Sequence, residues 1–339
     1  MEINQYKSSI VKLDQFKLSD KLVFNDAVAS YTLYGDLKNG KKIALFFHGF
    51  SSDSEMHIWW KKFPLQKVIE NYNILCINSL GSCHGSLGPE TINPDTKLPY
   101  STNFPDISIS DTVNFIVLTL KKMNIEKIDL AFGCSMGGMQ VLDMFIRFPS
   151  IADKYISVCA SPLPHLTKLM NAAQSNILED GINKNLSIND LKARMGLARF
   201  FFRISCTTEN ALSILHNDQT KNNPDKKDFL EKYFIADSLN YETCFSPFSY
   251  KLYMKMLTNF ELKIPDEIDS NVYENKELLL VSINDDQFTP PESIENVYNF
   301  LRKEKINVRK NQFNTNYGHE AWILDGERFY EFIEDELIA

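Results

Sequence analysis

A serine between two glycines is the first feature of this chain that could do chemistry. Residues 130–140 read LAFGCSMGGMQ, so Ser135 follows an apolar run and precedes a run with helical spacing. In a strand-turn-helix of Gly-x-Ser-x-Gly type, the serine backbone is strained and the glycines avoid collisions with neighbouring elements. The helix N-terminus then favours negative charge at the serine oxygen. The pattern predicts a nucleophile, although a turn that needs small residues only for packing has the same sequence.

The groups that would activate this serine lie near the other end of the chain. A serine hydroxyl needs a histidine to take its proton and a carboxylate to hold that histidine in the right tautomer. The segment NDDQ, which contains Asp285 and Asp286, follows one apolar run, and the segment GHE, which contains His319, follows the last one. Serine, acid and histidine then occur in the chain order of α/β-hydrolases. We predict a triad of Ser135, His319 and one of the two aspartates.

Two backbone N–H groups are needed to stabilise the oxyanion that forms when a serine attacks a carbonyl. The residue after the serine, Met136, supplies one of them. The segment FFHGF supplies the other through Phe50, with Gly49 allowing the backbone to turn inward. His48 in the same segment is interpreted as a structural residue that holds this loop.

The elements that position these residues follow the pattern of a parallel sheet covered by helices. We predict buried strands within residues 42–50, 73–81, 125–133, 154–161, 276–283 and 307–313. Two antiparallel strands, near residues 10–16 and 28–34, are expected at one edge of the sheet. Ser108 is the predicted N-cap of a helix in the first half of the chain.

The strand pattern stops between residues 162 and 272, where amphipathic helical stretches alternate with polar loops. We therefore predict an α/β-hydrolase fold with a mostly parallel sheet flanked by helices. Its core domain comprises residues 1–161 and 273–339, and residues 162–272 form an inserted helical segment, called the lid segment below. A helical insertion late in such a domain is expected to cover the active-site end of the sheet.

Composition excludes several classes of function. The 339 residues carry a net charge of −8 and no basic block, which argues against a nucleic-acid partner. Neither an apolar run of membrane-spanning length nor a signal peptide is evident, so we predict a cytoplasmic protein without a membrane role. Six cysteines without a CxxC pair, and no histidine at ligand spacing, predict reduced thiols and no metal site. Cys134 is interpreted as a packing residue.

Longer motifs point to one family. Residues 81–113 read GSCHGSLGPETINPDTKLPYSTNFPDISISDTV, and further segments read GCSMGGMQ, GLARFFFRIS, SINDDQFTPP and GHEAWILD. Together they resemble the glycine-rich, nucleophile, lid, acid and histidine segments of the homoserine O-acetyltransferases, over roughly residues 40–335. The resemblance selects Asp286 over Asp285 and implies catalysis by Ser135, Asp286 and His319.

The resemblance also implies a reaction. Acetyl-CoA, or another acyl-CoA, would act as co-substrate and acylate Ser135 in a ping-pong mechanism, without a bound cofactor. The acyl group would then pass to the hydroxyl of homoserine or a similar hydroxy amino acid, as in methionine biosynthesis. The family's substrate arginine falls on Arg199 and its acidic residue on Glu320, which implies contacts to the acceptor's carboxylate and ammonium groups. It further implies a homodimer formed through the lid segment.

Some residues depart from the family pattern and leave alternatives open. Glu320 replaces an aspartate, Cys206 replaces an expected tyrosine, and Arg199 could instead be a solvated lid residue. A serine esterase or thioesterase shares the same acyl-enzyme and differs only in using water as acceptor. A non-catalytic binding protein of the same fold is disfavoured, because it has no need to keep all three triad residues.

Overall fold

The computed structural model describes residues 6–19, 22–220, 228–265 and 270–338. The strands of this part of the chain are β1 Tyr6–Lys17, β2 Val23–Tyr34, β3 Lys42–Phe47, β4 Tyr72–Ile77, β5 Ile128–Cys134, β6 Ala152–Val158, β7 Glu277–Ile283 and β8 Val308–Phe313. They form one sheet in the order β1-β2-β4-β3-β5-β6-β7-β8. The predicted fold class, a mostly parallel sheet flanked by helices, is confirmed.

The sheet has an antiparallel edge and a parallel centre. β1 pairs with β2, and β2 with β4, in antiparallel register, whereas the strands from β3 to β8 pair in parallel. Successive side chains of a strand point to opposite faces. Leu45 and Phe47 accordingly join one buried cluster and Ala44 and Phe46 the other. Helices therefore cover both faces, as the continuous apolar runs of the central strands predict.

Helices occupy the connections from β3 onward and follow β8. They are α1 Met56–Trp59, α2 Leu65–Asn71, α3 Ile109–Lys122, α4 Met136–Arg147, α5 His165–Asn183, α6 Ile188–Cys206, α7 Glu209–Thr220, α8 Phe229–Cys244, α9 Pro247–Thr258, α10 Pro291–Lys303, α11 Ala321–Leu324 and α12 Gly326–Ile338. The predicted N-cap of α3 is confirmed: the Ser108 hydroxyl accepts from the Asp111 N–H, and the Asp111 carboxylate accepts from the Ser108 N–H. Across the described residues, no helix is both long and apolar enough for a membrane span.

Helices α5–α9 fall within the lid segment, whose described residues form no strand. The Thr167 hydroxyl of α5 donates to the carbonyl of Phe288, and the Tyr253 hydroxyl of α9 donates to the carbonyl of Ser79. Phe288 and Ser79 follow β7 and β4, so α5 and α9 lie over the carboxyl end of the sheet. Residues 221–227 and 266–269 of the lid segment, and 1–5, 20–21 and 339 of the predicted core domain, lie outside the described residues.

Candidate active site

Ser135 sits in a strained turn between β5 and α4, with φ of 56° and ψ of −123°. A Cβ on Gly133 would lie 2.4 Å from the carbonyl of Gly137, and a Cβ on Gly137 would lie 2.3 Å from the carbonyl oxygen of Phe47. Both clashes are with backbone, which cannot move aside cheaply. The glycines are therefore required for α4 to start directly beneath the serine and against the end of β3.

The structure brings Ser135, His319 and Asp286 together from three separate loops. His319 Nε2 lies 2.8 Å from Ser135 Oγ, and His319 Nδ1 lies 2.7 Å from Asp286 Oδ2. All three side chains are buried, with Ser135 only 6% exposed. With the proton on Nδ1 donated to the carboxylate, Nε2 is free to accept the serine proton. This geometry is the one that general-base activation of a serine requires.

The Asp286 carboxylate is fixed by its own loop. Its Oδ1 accepts from the backbone N–H groups of Phe288 at 2.8 Å and Thr289 at 2.9 Å. Its Oδ2 accepts from the Thr289 hydroxyl at 2.7 Å, beside the bond from His319. Donors from three sides set the orientation of this carboxylate. Oδ2 is therefore held towards His319.

Asp285 has a different position from Asp286. Its Oδ1 accepts from the Gly318 N–H at 3.1 Å, and its Oδ2 accepts from the Thr208 hydroxyl at 3.3 Å. Burial raises the pKa of this carboxyl group above its ordinary value. Gly318 adopts φ of +65° immediately before His319, where a side chain would approach the Cys206 carbonyl. Asp285 therefore joins the end of α6 to the loop that carries the histidine.

The loop predicted to supply an oxyanion donor is held beside the serine turn. His48 Nδ1 lies 2.9 Å from the Gly49 carbonyl, and the Ser79 N–H donates to His48 Nε2 at 3.0 Å. Burial lowers the pKa of His48 to about 4, so the imidazole is neutral and can accept the Ser79 proton. This arrangement is consistent with a structural role for His48. An oxyanion hole formed by the N–H groups of Phe50 and Met136 stays a prediction.

Aromatic rings from the lid segment enclose this loop. The Phe50 ring lies 5.0 Å from those of Phe202 and Tyr250, measured between centroids. The Phe202 ring lies 5.5 Å from that of Phe288, which in turn lies 4.8 Å from the imidazole of His319. Apolar rings therefore line one side of the site, where they exclude water and strengthen the electrostatic interactions of the triad.

Arg199 is buried in the structure, so its interpretation as a solvated lid residue is wrong. Its Nε donates to Asp237 Oδ2 at 3.0 Å, its Nη1 donates to Ser51 Oγ at 3.1 Å, and the guanidinium lies over the Tyr241 ring. Burial acts to lower the pKa of Arg199, but nearby Asp237 and other groups raise it above its ordinary value. The predicted carboxylate-binding arginine is thus adjacent to Phe50 through Ser51, and it already holds a carboxylate of this chain.

Glu320, the residue predicted to bind the acceptor's ammonium group, forms an ion pair with Arg203. Both side chains are about 8% exposed, and an Arg203 Nη atom also donates to the Tyr233 hydroxyl at 3.3 Å. Arg203 was not among the sequence-predicted site residues. The four-residue spacing between Arg199 and Arg203 is the signal that could have found it, because it puts both on one helical face.

Several thiols surround the triad. The Sγ of Cys159 and ligand atoms of Asp286 and His319 all lie within 4.8 Å of one another, which is close enough to hold a metal ion. The bond between Asp286 and His319 already uses two of these atoms. Burial raises the pKa of Cys159 well above its ordinary value, which disfavours the thiolate that metals prefer. Cys134 is buried as well, and all six cysteines are free thiols.

Comparisons with known proteins agree with this architecture. A family model for the alpha/beta hydrolase fold matches residues 44–320. The homoserine O-acetyltransferase of Methanococcus vannielii is 27% identical, in an alignment that covers 91% of this chain and 69% of that protein. The crystal structure of homoserine O-acetyltransferase from Bacillus anthracis matches with a TM-score of 0.81 at 18% identity, covering 99% of this chain and 97% of that one.

The crystal structure of esterase E22 matches equally well, with a TM-score of 0.81 at 16% identity, covering 98% of this chain and all of that one. At such identities the structural matches establish the fold alone. The resemblance to homoserine O-acetyltransferases predicted from the sequence is confirmed at the level of sequence similarity. The family model matches most of the chain, and the sheet order and the strained serine turn agree with it. The chain therefore belongs to the α/β-hydrolase fold family.

Proposed function

We propose that this protein moves an acetyl or other short acyl group from an acyl-CoA, through Ser135, to the hydroxyl of homoserine or a similar hydroxy amino acid. The observation that carries the proposal is the continuous hydrogen-bonded series from Asp286 through His319 to Ser135. The similarity to homoserine O-acetyltransferases over nine-tenths of the chain supports acyl transfer to homoserine. The product would then serve methionine biosynthesis.

The proposed reaction has two halves that use the same groups. His319 Nε2 takes the Ser135 proton while Oγ bonds to the acyl carbon; the carbon–sulfur bond then breaks and His319 returns the proton to the CoA thiolate. The acceptor hydroxyl next loses its proton to His319 and attacks the acyl carbon, and the proton goes to Ser135 as its bond breaks. The N–H groups of Phe50 and Met136 would stabilise the oxyanion in both halves.

Arg199 and Glu320 are proposed to bind the acceptor. The burial of a guanidinium beside the Phe50 loop and of a carboxylate directly after His319 supports this proposal, because their charges are opposite to those of an amino acid's carboxylate and ammonium groups. Such groups bind carboxylate and ammonium through charge-assisted hydrogen bonds. A substrate that carries both charges would thereby be oriented with its hydroxyl towards Ser135.

A serine esterase or thioesterase is the second candidate. Cys206 stands where the resembled family has a tyrosine, and the ion pair of Glu320 with Arg203 leaves that carboxylate already engaged. Both features weaken an acceptor site without touching the triad. Water would then deacylate Ser135 in place of an amino acid.

We also propose that residues 162–272 act as a lid over a core of residues 1–161 and 273–339, and that two copies associate through it. Leu197, Phe201 and Ile204 recur on one face of α6 and are each about half exposed, and Leu239 of α8 is 56% exposed. An exposed apolar stripe of this kind is typical of an interface. Light scattering should report twice the chain mass, and replacing Phe201 with aspartate should halve it.

The transferase is tested by mixing the purified protein with acetyl-CoA and following free thiol release with and without homoserine or serine. We expect release to accelerate only when an amino acid acceptor is present. Release that is indifferent to the acceptor would identify the hydrolase. Ser135→Ala is the control for both outcomes, and Arg199→Ala should slow the acceptor half far more than acylation.

A further inference from the structure

Two ion pairs occupy the region in which the acceptor is proposed to bind. Arg199 of α6 pairs with Asp237 of α8, and Arg203, one turn further along α6, pairs with Glu320. Arg203 Nε also lies 3.8 Å from Asp237 Oδ2. The four charges therefore form one connected cluster that has no net charge.

The cluster is joined to the triad at two points. Glu320 directly follows His319, and Arg199 donates to Ser51, which directly follows Phe50. Asp237 thus pairs with Arg199, the residue proposed to bind the acceptor's carboxylate. Arg203 likewise pairs with Glu320, the residue proposed to bind the acceptor's ammonium group.

We propose that Asp237 and Arg203 are specificity-determining residues, which stand in for the two charged groups of an acceptor and set how much each charge contributes to its binding. This inference rests on the proposed function for the location of the acceptor site. An acceptor binds there by exchange of partners: its carboxylate displaces Asp237 from Arg199, and its ammonium group competes with Arg203 for Glu320. Each charge on the acceptor therefore adds to the binding free energy only the difference in strength between the ion pair that it forms and the ion pair that it breaks.

The two exchanges are not equally easy. The Asp237 side chain is 29% exposed, so a displaced carboxylate can turn towards water and stay solvated. Arg203 and Glu320 are each only 8% exposed. Within the described part of the chain, Arg203 Nε has no hydrogen-bond partner, and the guanidinium lies 5.9 Å from the ring centres of Tyr233 and Phe234.

Arg203 therefore lies beside aromatic rings. Apart from Glu320, its polar neighbours are the Tyr233 hydroxyl at 3.3 Å and the Asp237 carboxylate, which lies 3.8 Å from Nε without a hydrogen bond. Moving a buried guanidinium from a hydrogen-bonded carboxylate to these weaker partners is costly, so an ammonium group displaces Arg203 poorly. The site consequently selects hydroxy compounds with a free carboxylate, and an ammonium group on the acceptor adds little affinity. The substrate class is a short hydroxy acid, which includes homoserine without depending on its amino group.

Calorimetric binding to a Ser135→Ala background tests this without any need for turnover. The probes are homoserine, 4-hydroxybutyrate, 3-aminopropan-1-ol and propan-1-ol, which carry both charges, the carboxylate alone, the ammonium alone and neither. We expect homoserine and 4-hydroxybutyrate to bind with similar affinity and the other two to bind much more weakly. Tighter binding of homoserine by about a hundredfold over 4-hydroxybutyrate, which is about 2.7 kcal/mol, would overturn the inference.

Two substitutions separate the two charges. Arg203→Met should tighten homoserine and 3-aminopropan-1-ol by about tenfold and leave 4-hydroxybutyrate unchanged. Asp237→Asn should tighten homoserine and 4-hydroxybutyrate and leave 3-aminopropan-1-ol unchanged. The matched controls are Arg194→Met and Asp180→Asn, which break an ion pair between α6 and α5 outside the cluster. Equal changes for all four probes, or no binding by any of them, would contradict the proposal.

Hydrogen exchange in the protein with its native lid residues provides a second measurement, in case a substitution prevents folding. Displacement of Asp237 removes a contact between α8 and α6, so 4-hydroxybutyrate should increase exchange of residues 229–244. Protection of this helix by the ligand would overturn the inference. If these results hold while thiol release proves indifferent to acceptors, the transferase proposal fails and the specificity assignment stands.

Discussion

Replacing Asp286 with asparagine should disable the enzyme by fixing its histidine in the wrong tautomer. The N–H groups of Phe288 and Thr289 both donate to Oδ1, so this position must stay an oxygen in the variant. The amide nitrogen then takes the position of Oδ2, 2.7 Å from His319 Nδ1. The amide nitrogen can only donate to Nδ1, so the imidazole proton must lie on Nε2, the nitrogen that faces the Ser135 hydroxyl.

The surroundings leave the amide no better orientation. In the native protein the Thr289 hydroxyl donates to Oδ2, but it also lies 2.9 Å from the Cys159 carbonyl and can donate there instead. The hydroxyl is then free to accept from the new amide nitrogen. With Nε2 protonated, His319 cannot take the proton of Ser135. We expect the rate of Ser135 acylation to fall about 10⁴-fold, or about 5 kcal/mol in activation free energy.

The neighbouring aspartate provides a matched control. Asp285→Asn keeps an oxygen that can accept from the Gly318 N–H, so the expected loss in rate is less than tenfold. The assay is the pre-steady-state burst of p-nitrophenol from p-nitrophenyl acetate, which reports acylation of Ser135 alone. An Asp286→Asn burst within tenfold of the native rate, or equal damage from the two substitutions, would refute this reasoning.

Three further outcomes are expected. Burial lowers the pKa of His48 from 6.5 to about 4, so below pH 6.5 the unfolded chain takes up a proton that the folded protein excludes, and stability falls as the pH is lowered. The free-energy difference between the native protein and His48→Gln, measured by urea unfolding, should shrink by about 3 kcal/mol from pH 7 to pH 4. Gly137→Ala places a methyl group 2.3 Å from the Phe47 carbonyl oxygen, so it should cost about 1–3 kcal/mol in unfolding free energy and slow acylation. Thr289→Val removes one donor to Asp286 but keeps both N–H bonds, so the acylation burst should slow by less than Asp286→Asn slows it.

Each of these expectations has an outcome that would contradict it. If the difference in unfolding free energy between the native protein and His48→Gln stayed constant from pH 7 to pH 4, the His48 imidazole would not be held neutral. Gly181→Ala in α5 is the control for the glycine substitution, because its methyl group meets only movable side-chain atoms of Arg194 and Leu191. Acylation by Gly137→Ala at the native rate would show that α4 can shift without disturbing the serine turn. A Thr289→Val burst as slow as that of Asp286→Asn would show that the two N–H bonds to Oδ1 are not enough to hold the carboxylate in place.

Much of the fold was readable from the sequence because its signals are local. Each predicted strand of the sheet is present, although β3, β4 and β6 end three or four residues before the predicted ends. Those extra residues form the loops at the carboxyl end of the sheet, where Phe50 and Ser79 lie. Apolar character continues into these loops because the lid segment buries them, so hydrophobicity alone could not mark where the strands end.

The candidate site was only partly readable, because charge pairing depends on elements far apart in the chain. Ser135 and His319 stand in recognisable turns, and the choice of Asp286 over Asp285 came from a motif. The partners of Arg199 and Glu320 could not be read in this way: Asp237 is 38 positions from Arg199, and Arg203 is 117 from Glu320. Nothing in either local sequence specifies these pairs; only the packing of α6 against α8 and the histidine loop brings them together.

The contacts of Asp285 link the position of His319 to that of the lid segment. One carboxylate receives the Thr208 hydroxyl, just past the end of α6, and the N–H of Gly318, one residue before the base. A displacement of the end of α6 would remove one partner of the turn that presents His319. Under the proposed mechanism, moving the lid segment away from Ser135 would then also loosen the group that takes its proton. One side chain outside the triad would thus link the shielding of the serine from water to its activation.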